Sequence, residues 1–259
     1  RFKLATELMR GILTQRRQDA KIFSAATGLA GGIELGSLRA EAMGKAATDR
    51  LAFERELWAQ SVTLVAGVDE AGRGPLAGPV VAAAVILPSA WAATGIPAEL
   101  AGLNDSKQLT ERQREEFFAI IINHPCIRHA IARVDVDVID RINILQATHR
   151  AMNDALAQLA SAPQHALVDG LRVKSLRWPQ TPLVKGDARS YSIAAASVLA
   201  KVTRDRLMLA FDREFPTYGF ATHKGYGTPA HLAAIAAHGP CAIHRKSFAP
   251  MKVKAPELF

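Results

Sequence analysis

Three short apolar runs in this chain stop at acids. Residues 62–68 run into Asp69 and Glu70, residues 166–168 stop at Asp169, and residues 183–184 are followed by Lys185, Gly186 and Asp187. Short apolar runs bounded by glycine and turn residues read as strands, and residues 79–87 and 127–134 read the same way. Between them lie stretches with apolar residues at helical spacing. The spacing predicts a helix over 110–122, with Thr110 and Gln113 placed as a capping box, and another over 143–160, with Leu145, Ala147, Met152, Leu156 and Leu159 on one stripe. Residues 192–215 and 228–238 complete the set. The first of these is small-faced at Ala194, Ala195, Ala196, Ser197 and Ala200, which suits close packing on a sheet. Strands alternating with helices predict an α/β domain. Paired strands lie about 5 Å apart, so acids ending three neighbouring strands meet at one sheet edge, where open α/β sheets hold ligands.

Converging carboxylates repel. Two unit charges roughly 4 Å apart cost about 4 kcal/mol at an effective dielectric of 20, so three or four require compensating cations. Oxygen ligands without a Cys or His cluster select hard ions, Mg²⁺ or Mn²⁺. Such ions leave coordination places for phosphate oxygens and water, the layout of two-metal phosphodiester hydrolysis. Each acid taken singly is an ordinary turn residue or helix cap; it is the set at matching strand ends that points to chemistry. Gly72, Arg73 and Gly74 follow the first acidic pair directly, where glycines let backbone groups approach a ligand and an arginine suits phosphate. Tyr226 lies between Gly225 and Gly227 and two residues from Lys224, well placed to stack on a sugar or base.

Charge says what the ligand is. From residue 170 onward there are 14 Lys and Arg against 5 Asp and Glu, while the rest of the chain is near neutral. A basic half on a neutral body fits a polyanion, most simply nucleic acid. Lys201, Arg204 and Arg206 on the long helix, with Lys224, Arg245 and Lys246, are candidates for a phosphate-binding face. Two cysteines, Cys126 and Cys241, are too few for a disulfide scaffold or a four-cysteine zinc site, and a reducing, cytoplasmic setting is the expectation. No stretch is long and apolar enough to read as a membrane span.

The run Val68-Asp69-Glu70-Ala71-Gly72-Arg73-Gly74-Pro75-Leu76-Ala77-Gly78-Pro79 resembles the opening motif of ribonuclease HII, the bacterial type 2 ribonuclease H. The resemblance continues through Asn104-Asp105-Ser106-Lys107, Val168-Asp169-Gly170, Lys185-Gly186-Asp187 and Ala195-Ala196-Ser197, then His223-Lys224-Gly225-Tyr226-Gly227 and His244-Arg245-Lys246-Ser247, in family order. It implies a ribonuclease H-like fold: a central mixed five-stranded sheet flanked by helices, with a helical C-terminal part. It implies endonucleolytic cleavage of RNA in RNA–DNA hybrids and at single ribonucleotides in DNA, leaving 3′-hydroxyl and 5′-phosphate ends, with Mn²⁺ or Mg²⁺. Carried over by motif, Asp69, Glu70, Asp169 and Asp187 are the metal-binding, catalytic carboxylates. Gly72, Arg73 and Gly74 sense the ribose 2′-hydroxyl, and Tyr226 stacks on the deoxyribose that follows. Lys201, Lys224 and Arg245 are the expected phosphate contacts.

Residues 1–60 fall outside the resemblance and are expected to be an extension, partly helical or disordered, with the catalytic domain over 61–259 and a monomeric protein. Two alternatives compete. A ribonuclease HIII-type enzyme of the same fold resembles Gly-Thr-Gly where this chain has Gly72-Arg73-Gly74. A non-catalytic nucleic-acid-binding module would explain the basic half but not four acids facing a polyanion.

Overall fold

The computed structural model describes residues 49–251. Five strands, β1 (Val65–Ala71), β2 (Val80–Ile86), β3 (Arg128–Val134), β4 (His165–Asp169) and β5 (Gln180–Leu183), form one sheet in the order β3–β2–β1–β4–β5. The β1–β2 and β2–β3 pairs are antiparallel, and β1–β4 and β4–β5 are parallel. The helices are α1 (Ala52–Ala59), α2 (Trp91–Thr94), α3 (Glu111–Asn123), α4 (Val136–Ala157), α5 (Tyr191–Glu214), α6 (Phe220–His223) and α7 (Pro229–His238). This is the mixed sheet, flanked by helices and followed by a helical C-terminal part, that the resemblance implies.

Period-two alternation sorts the strand residues onto two cores. Val65, Val81, Ala83, Val85 and Leu167 face one way and pack with Ile193, Ala196 and Leu199 of α5. Ala66, Val68, Ala82, Ala84 and Val168 face the other way and pack with Ala147, Ala151 and Leu156 of α4. Both faces are covered, so β2 is apolar throughout and β1 is apolar up to Asp69. The small-residue run of α5 does what its composition suggests, and β1 answers it. A Cβ at Gly67 would stand 2.2 Å from the backbone of Ser192, so only glycine lets strand and helix approach this closely. A third cluster, with Ala77, Met208, Tyr218, Phe220, Ile235 and Ile243, joins α6 and α7 to the end of α5.

The differences from the sequence reading have local causes. The Thr110–Gln113 capping box forms at the start of α3. Helix α4 begins seven residues before Asn143, but Asn143 is non-helical (φ 66°, ψ 164°) and its Oδ1 accepts from Gln146 N at 3.1 Å, so it caps the second segment. Strand β5 begins upstream of the apolar pair 183–184 and ends at Leu183, carries Pro182 and pairs only with β4, as a proline-bearing strand does at a sheet edge.

The domain boundary at 60/61 falls inside the folded body. Residues 49–60 belong to the same compact unit as the sheet. Leu51 and Trp58 join its core, and Glu54 is fully buried, its Oε1 accepting from the Ser190 hydroxyl (2.6 Å), the Ser192 hydroxyl (2.6 Å) and the Ser192 amide (3.1 Å). Residues 1–48, the rest of the expected extension, lie outside the described residues.

Candidate active site

Asp69 and Glu70 lie within β1, which continues to Ala71, and Asp169 is the last residue of β4. The parallel register pairs Val68 with Val168, so Asp69 and Asp169 stand side by side one residue further on, both on the face that α5 covers. Asp187 sits in a single 3-10 turn between β5 and α5. One carboxylate oxygen of each aspartate is fixed by a backbone amide: Asp69 Oδ1 by Glu70 N (2.7 Å), Asp169 Oδ1 by Gly186 N (2.7 Å) and Asp187 Oδ1 by Ala188 N (2.9 Å). The Gly186 amide thereby ties the acid of β4 to the turn that carries Asp187.

The carboxylates feel one another. Burial, then the charges of Glu70 and Asp169, push the Asp69 carboxyl well above the usual carboxylate range, against the Glu70 amide and the Ser197 hydroxyl. Burial raises Glu70 as well; Arg73 opposes this and Asp169 adds to it. Asp187 is pushed up to about 6, by burial first and then by Asp169 and Asp105. Asp169 is the common neighbour of all three. Among the described residues, no three His, Cys, Asp or Glu side chains already converge as a metal-holding group. The backbones of Asp69 and Asp169 nevertheless belong to adjacent strands about 5 Å apart, with Asp187 in the turn that follows β5.

An open cleft runs beside the acids. Its walls include Asp69, Glu70, the loop at 72–74, Lys201 and Tyr226. The structure thus brings the glycine loop and Tyr226 to one cleft; the tyrosine is half exposed, and its Cε1 is 3.7 Å from where a Gly74 Cβ would stand. Arg73 turns back to Glu70, with Nη1 3.2 Å from Oε1. Lys201 lines the cleft while pairing with Asp205 at 2.8 Å.

Two expected phosphate contacts are placed elsewhere. Arg245 is fully buried, and its guanidinium donates to the carbonyls of Gly72, Arg73 and Gly78; it carries the loop from beneath and cannot meet a phosphate in the cleft. Lys224 is not part of the cleft wall; its ammonium donates to the Ala221 carbonyl. Arg204 is buried at the cleft floor, and Arg206 pairs with Glu115. A charge written in the sequence does not tell whether water or a carbonyl will meet it.

Sequence reasoning assigned no role to Ser106, Lys107 or Ser197, which also line the cleft. The Ser197 hydroxyl donates to Ser106 Oγ at 2.8 Å in a buried pair. Burial works against the Lys107 ammonium, but Asp105, Asp187, Asp69 and Asp169 outweigh it and raise its pKa. The available signals were the motif Asn104-Asp105-Ser106-Lys107 and the lone hydroxyl of Ser197 in the small-residue run 194–200. Arg50 was missed because it lay in the expected extension. It stacks over the Tyr191 ring, donates to the Asp187 carbonyl at 2.6 Å and reaches the Leu103 carbonyl, linking the Asp187 turn to the loop before Lys107.

A family model described as ribonuclease HII matches residues 66–251. A ribonuclease HII of Geobacter metallireducens is 53% identical over 206 residues, 77% of this chain and 93% of the relative. One of Chlorobaculum parvum is 55% identical over 197 residues, 76% and 94% of the two chains. Among solved structures, ribonuclease H2 from Pyrococcus horikoshii OT3 is 28% identical and superposes with a TM-score of 0.60, over 72% of this chain and 94% of that one. A structure of Bst-RNase HIII in complex with Mn²⁺, 20% identical with a TM-score of 0.55 over 91% of this chain and 78% of that one, shares the fold. With the family's match spanning the sheet, the acids and both loops of the cleft, the chain belongs to the ribonuclease HII family, endoribonucleases that act on RNA–DNA hybrids.

Proposed function

We propose that this endonuclease cuts at single ribonucleotides embedded in duplex DNA as well as in longer hybrids, with Asp69, Glu70, Asp169 and Asp187 holding Mn²⁺ or Mg²⁺ at the scissile phosphate. The observation that carries this reading is the side-by-side placement of Asp69 on β1 and Asp169 on β4, with the Asp187 turn tied to Asp169 through the Gly186 amide, and with the loop at 72–74 and Tyr226 on the walls of the cleft that Asp69 and Glu70 line. The donor set fits a hard divalent ion: it is all oxygen, and each aspartate keeps a second carboxylate oxygen beyond the one its backbone amide fixes. When bound, such ions supply an activated water and a clamp on the leaving oxygen.

The chain's own residues do the rest. Asp69 and Asp187 hold protons more tightly than free carboxylates, and they give these up as a cation takes their place. Lys107, on the cleft wall and within the electrostatic reach of Asp105, Asp187, Asp69 and Asp169, is a positive partner for the phosphate that enters beside them. The backbone at 72–74 reads the 2′-hydroxyl, the group that separates RNA from DNA, and Tyr226 supports the adjoining sugar. The deciding experiment incubates a DNA duplex carrying one ribonucleotide with the full chain, with and without Mn²⁺, and maps the cut. The expected result is metal-dependent cleavage at one bond, leaving 3′-hydroxyl and 5′-phosphate ends. Cleavage of long RNA tracts only would reject the single-ribonucleotide reading.

A further inference from the structure

Arg204, on α5, has a relative exposure of 1%. Its guanidinium meets three backbone carbonyls and no carboxylate: Nε donates to Pro79 O, Nη2 to Ala77 O and Nη1 to Lys224 O, each at 3.0 Å. Two of these partners close the glycine loop, and the third stands two residues before Tyr226. One side chain therefore bridges the two segments that flank the cleft.

The glycines around it are shaped to this seat. A Cβ at Gly72 would stand 2.1 Å from Arg204 Nε, and one at Gly225 would stand 2.6 Å from the Ala77 carbonyl oxygen. Both have positive φ, +97° and +84°. Gly74 differs: a Cβ there would meet only Tyr226 Cε1, at an ordinary 3.7 Å. Backbone bonds complete the joint, with Leu76 N donating to Gly225 O and Gly78 N to Ile243 O, both at 2.8 Å. Arg245, beneath the same loop, holds the carbonyls of Gly72, Arg73 and Gly78.

We propose that Arg204 is a positioning residue that locks the glycine loop and the Tyr226 segment into one two-sided grip, and that Gly72 serves its seat while Gly74 keeps the open face toward the sugar. This rests on the reading that these two segments hold the ribonucleotide and the sugar after it. A planar fork with five donors can hold three carbonyls at once, whereas an ammonium on a flexible stem holds one geometry poorly. Arg204→Lys keeps the charge and loses the lock.

The test uses the full chain with Mn²⁺ and a duplex carrying one ribonucleotide. For Arg204→Lys the expected result is a KM raised about tenfold with kcat within about twofold, together with faster amide exchange at both Leu76 and Tyr226. Faster exchange in one segment only, or in neither, overturns the proposal; so does a fall in kcat at unchanged KM. Should this variant not fold, the wild-type chain decides: amides of Leu76, Gly78, Gly225 and Tyr226 are expected to exchange through a single shared opening, and independent openings overturn the lock. Gly74→Ala separates the two readings. It is expected to melt with the wild type and to raise KM for the single-ribonucleotide duplex. If Gly74→Ala leaves KM unchanged while Arg204→Lys raises it, the lock stands and the sugar-reading role of the loop fails.

Discussion

Asp187 shows how a reactive carboxylate is held. Its main-chain carbonyl is gripped by Arg50, its Oδ1 by the Ala188 amide, and its charge is opposed by Asp169 and Asp105. Its folded pKa, about 6, lies above the ordinary 3.8. The folded state therefore keeps a proton that the unfolded chain releases between those values, and stability falls as pH rises through that window. Above pH 6 the full cost of the ionised group is present. Asp187→Asn is accordingly expected to reduce metal-dependent cleavage by about 100-fold or more and to leave duplex binding within a few-fold. With divalent ions chelated at pH 7, it should also raise the unfolding free energy by about 1 kcal/mol. Cleavage kinetics, duplex titration and urea melts check the three, and retained turnover contradicts the assigned role. Tyr226 makes a separate prediction, because its ring is offered to the cleft rather than to the core. Tyr226→Ala should weaken cleavage at single ribonucleotides more than within long RNA tracts, and equal losses on both substrates count against the sugar contact.

At the scale of elements, α1 and α5 are joined by a buried acid. Glu54 Oε1 takes three donors from the first turn of α5, which is itself capped by the Ser190 hydroxyl on Ile193 N. The same helix carries Ser197 and Lys201 to the cleft and Arg204 to its floor. Removing the carboxylate leaves the Ser192 amide and one of the two hydroxyls without an acceptor in the core, since the Ser190 and Ser192 hydroxyls, 3.0 Å apart, can pair with each other; each unpaired group costs about 1–3 kcal/mol. Glu54→Ala is expected to lose about 2–3 kcal/mol overall, since water fills part of the gap, and to lower activity through the long helix. Denaturant midpoints together with exchange rates over residues 190–197 measure it, and a loss below about 0.5 kcal/mol would show that α1 only rests on the surface. The bounds of helix α1 were hard to read from sequence for a physical reason. It is eight residues long, and isolated helices of that length owe their stability to packing rather than to local propensity. The Thr110–Gln113 box needed no such help, because its bonds close within four residues.

At the scale of the whole molecule, the C-terminal segments are tied to one another by buried imidazoles. His231 Nδ1 donates to the Tyr226 carbonyl (2.8 Å), which leaves its Nε2 to accept from His244 Nε2 at 3.0 Å, and His244 Nδ1 accepts from the Cys241 amide at 2.9 Å. Each neutral tautomer is set by its neighbour. Burial, with His231 and His223, lowers His244 to about 4. The unfolded chain therefore binds a proton below about pH 6.5 that the folded chain refuses, so stability present above 6.5 is lost as pH falls toward 4. His244→Gln, which can accept from Cys241 and donate to His231, should make this acid slope shallower by up to about 1.4 kcal/mol per pH unit. Urea melts at pH 7, 6 and 5 test this, and parallel slopes for the two proteins would assign the acid loss elsewhere. By itself the sequence determined the strand–helix alternation, the place of Asp69, Glu70 and Asp169 toward the ends of apolar strands and the glycine loop that follows the first pair, because periodicity and chain neighbours fix those locally. Only the tertiary structure decided that residues 49–60 belong to the folded body, that Arg50 holds the Asp187 turn, and that Arg204 and Arg245 carry the loop from within. A guanidinium reads the same in a sequence whether water or three carbonyls surround it, and burial by distant segments makes the difference.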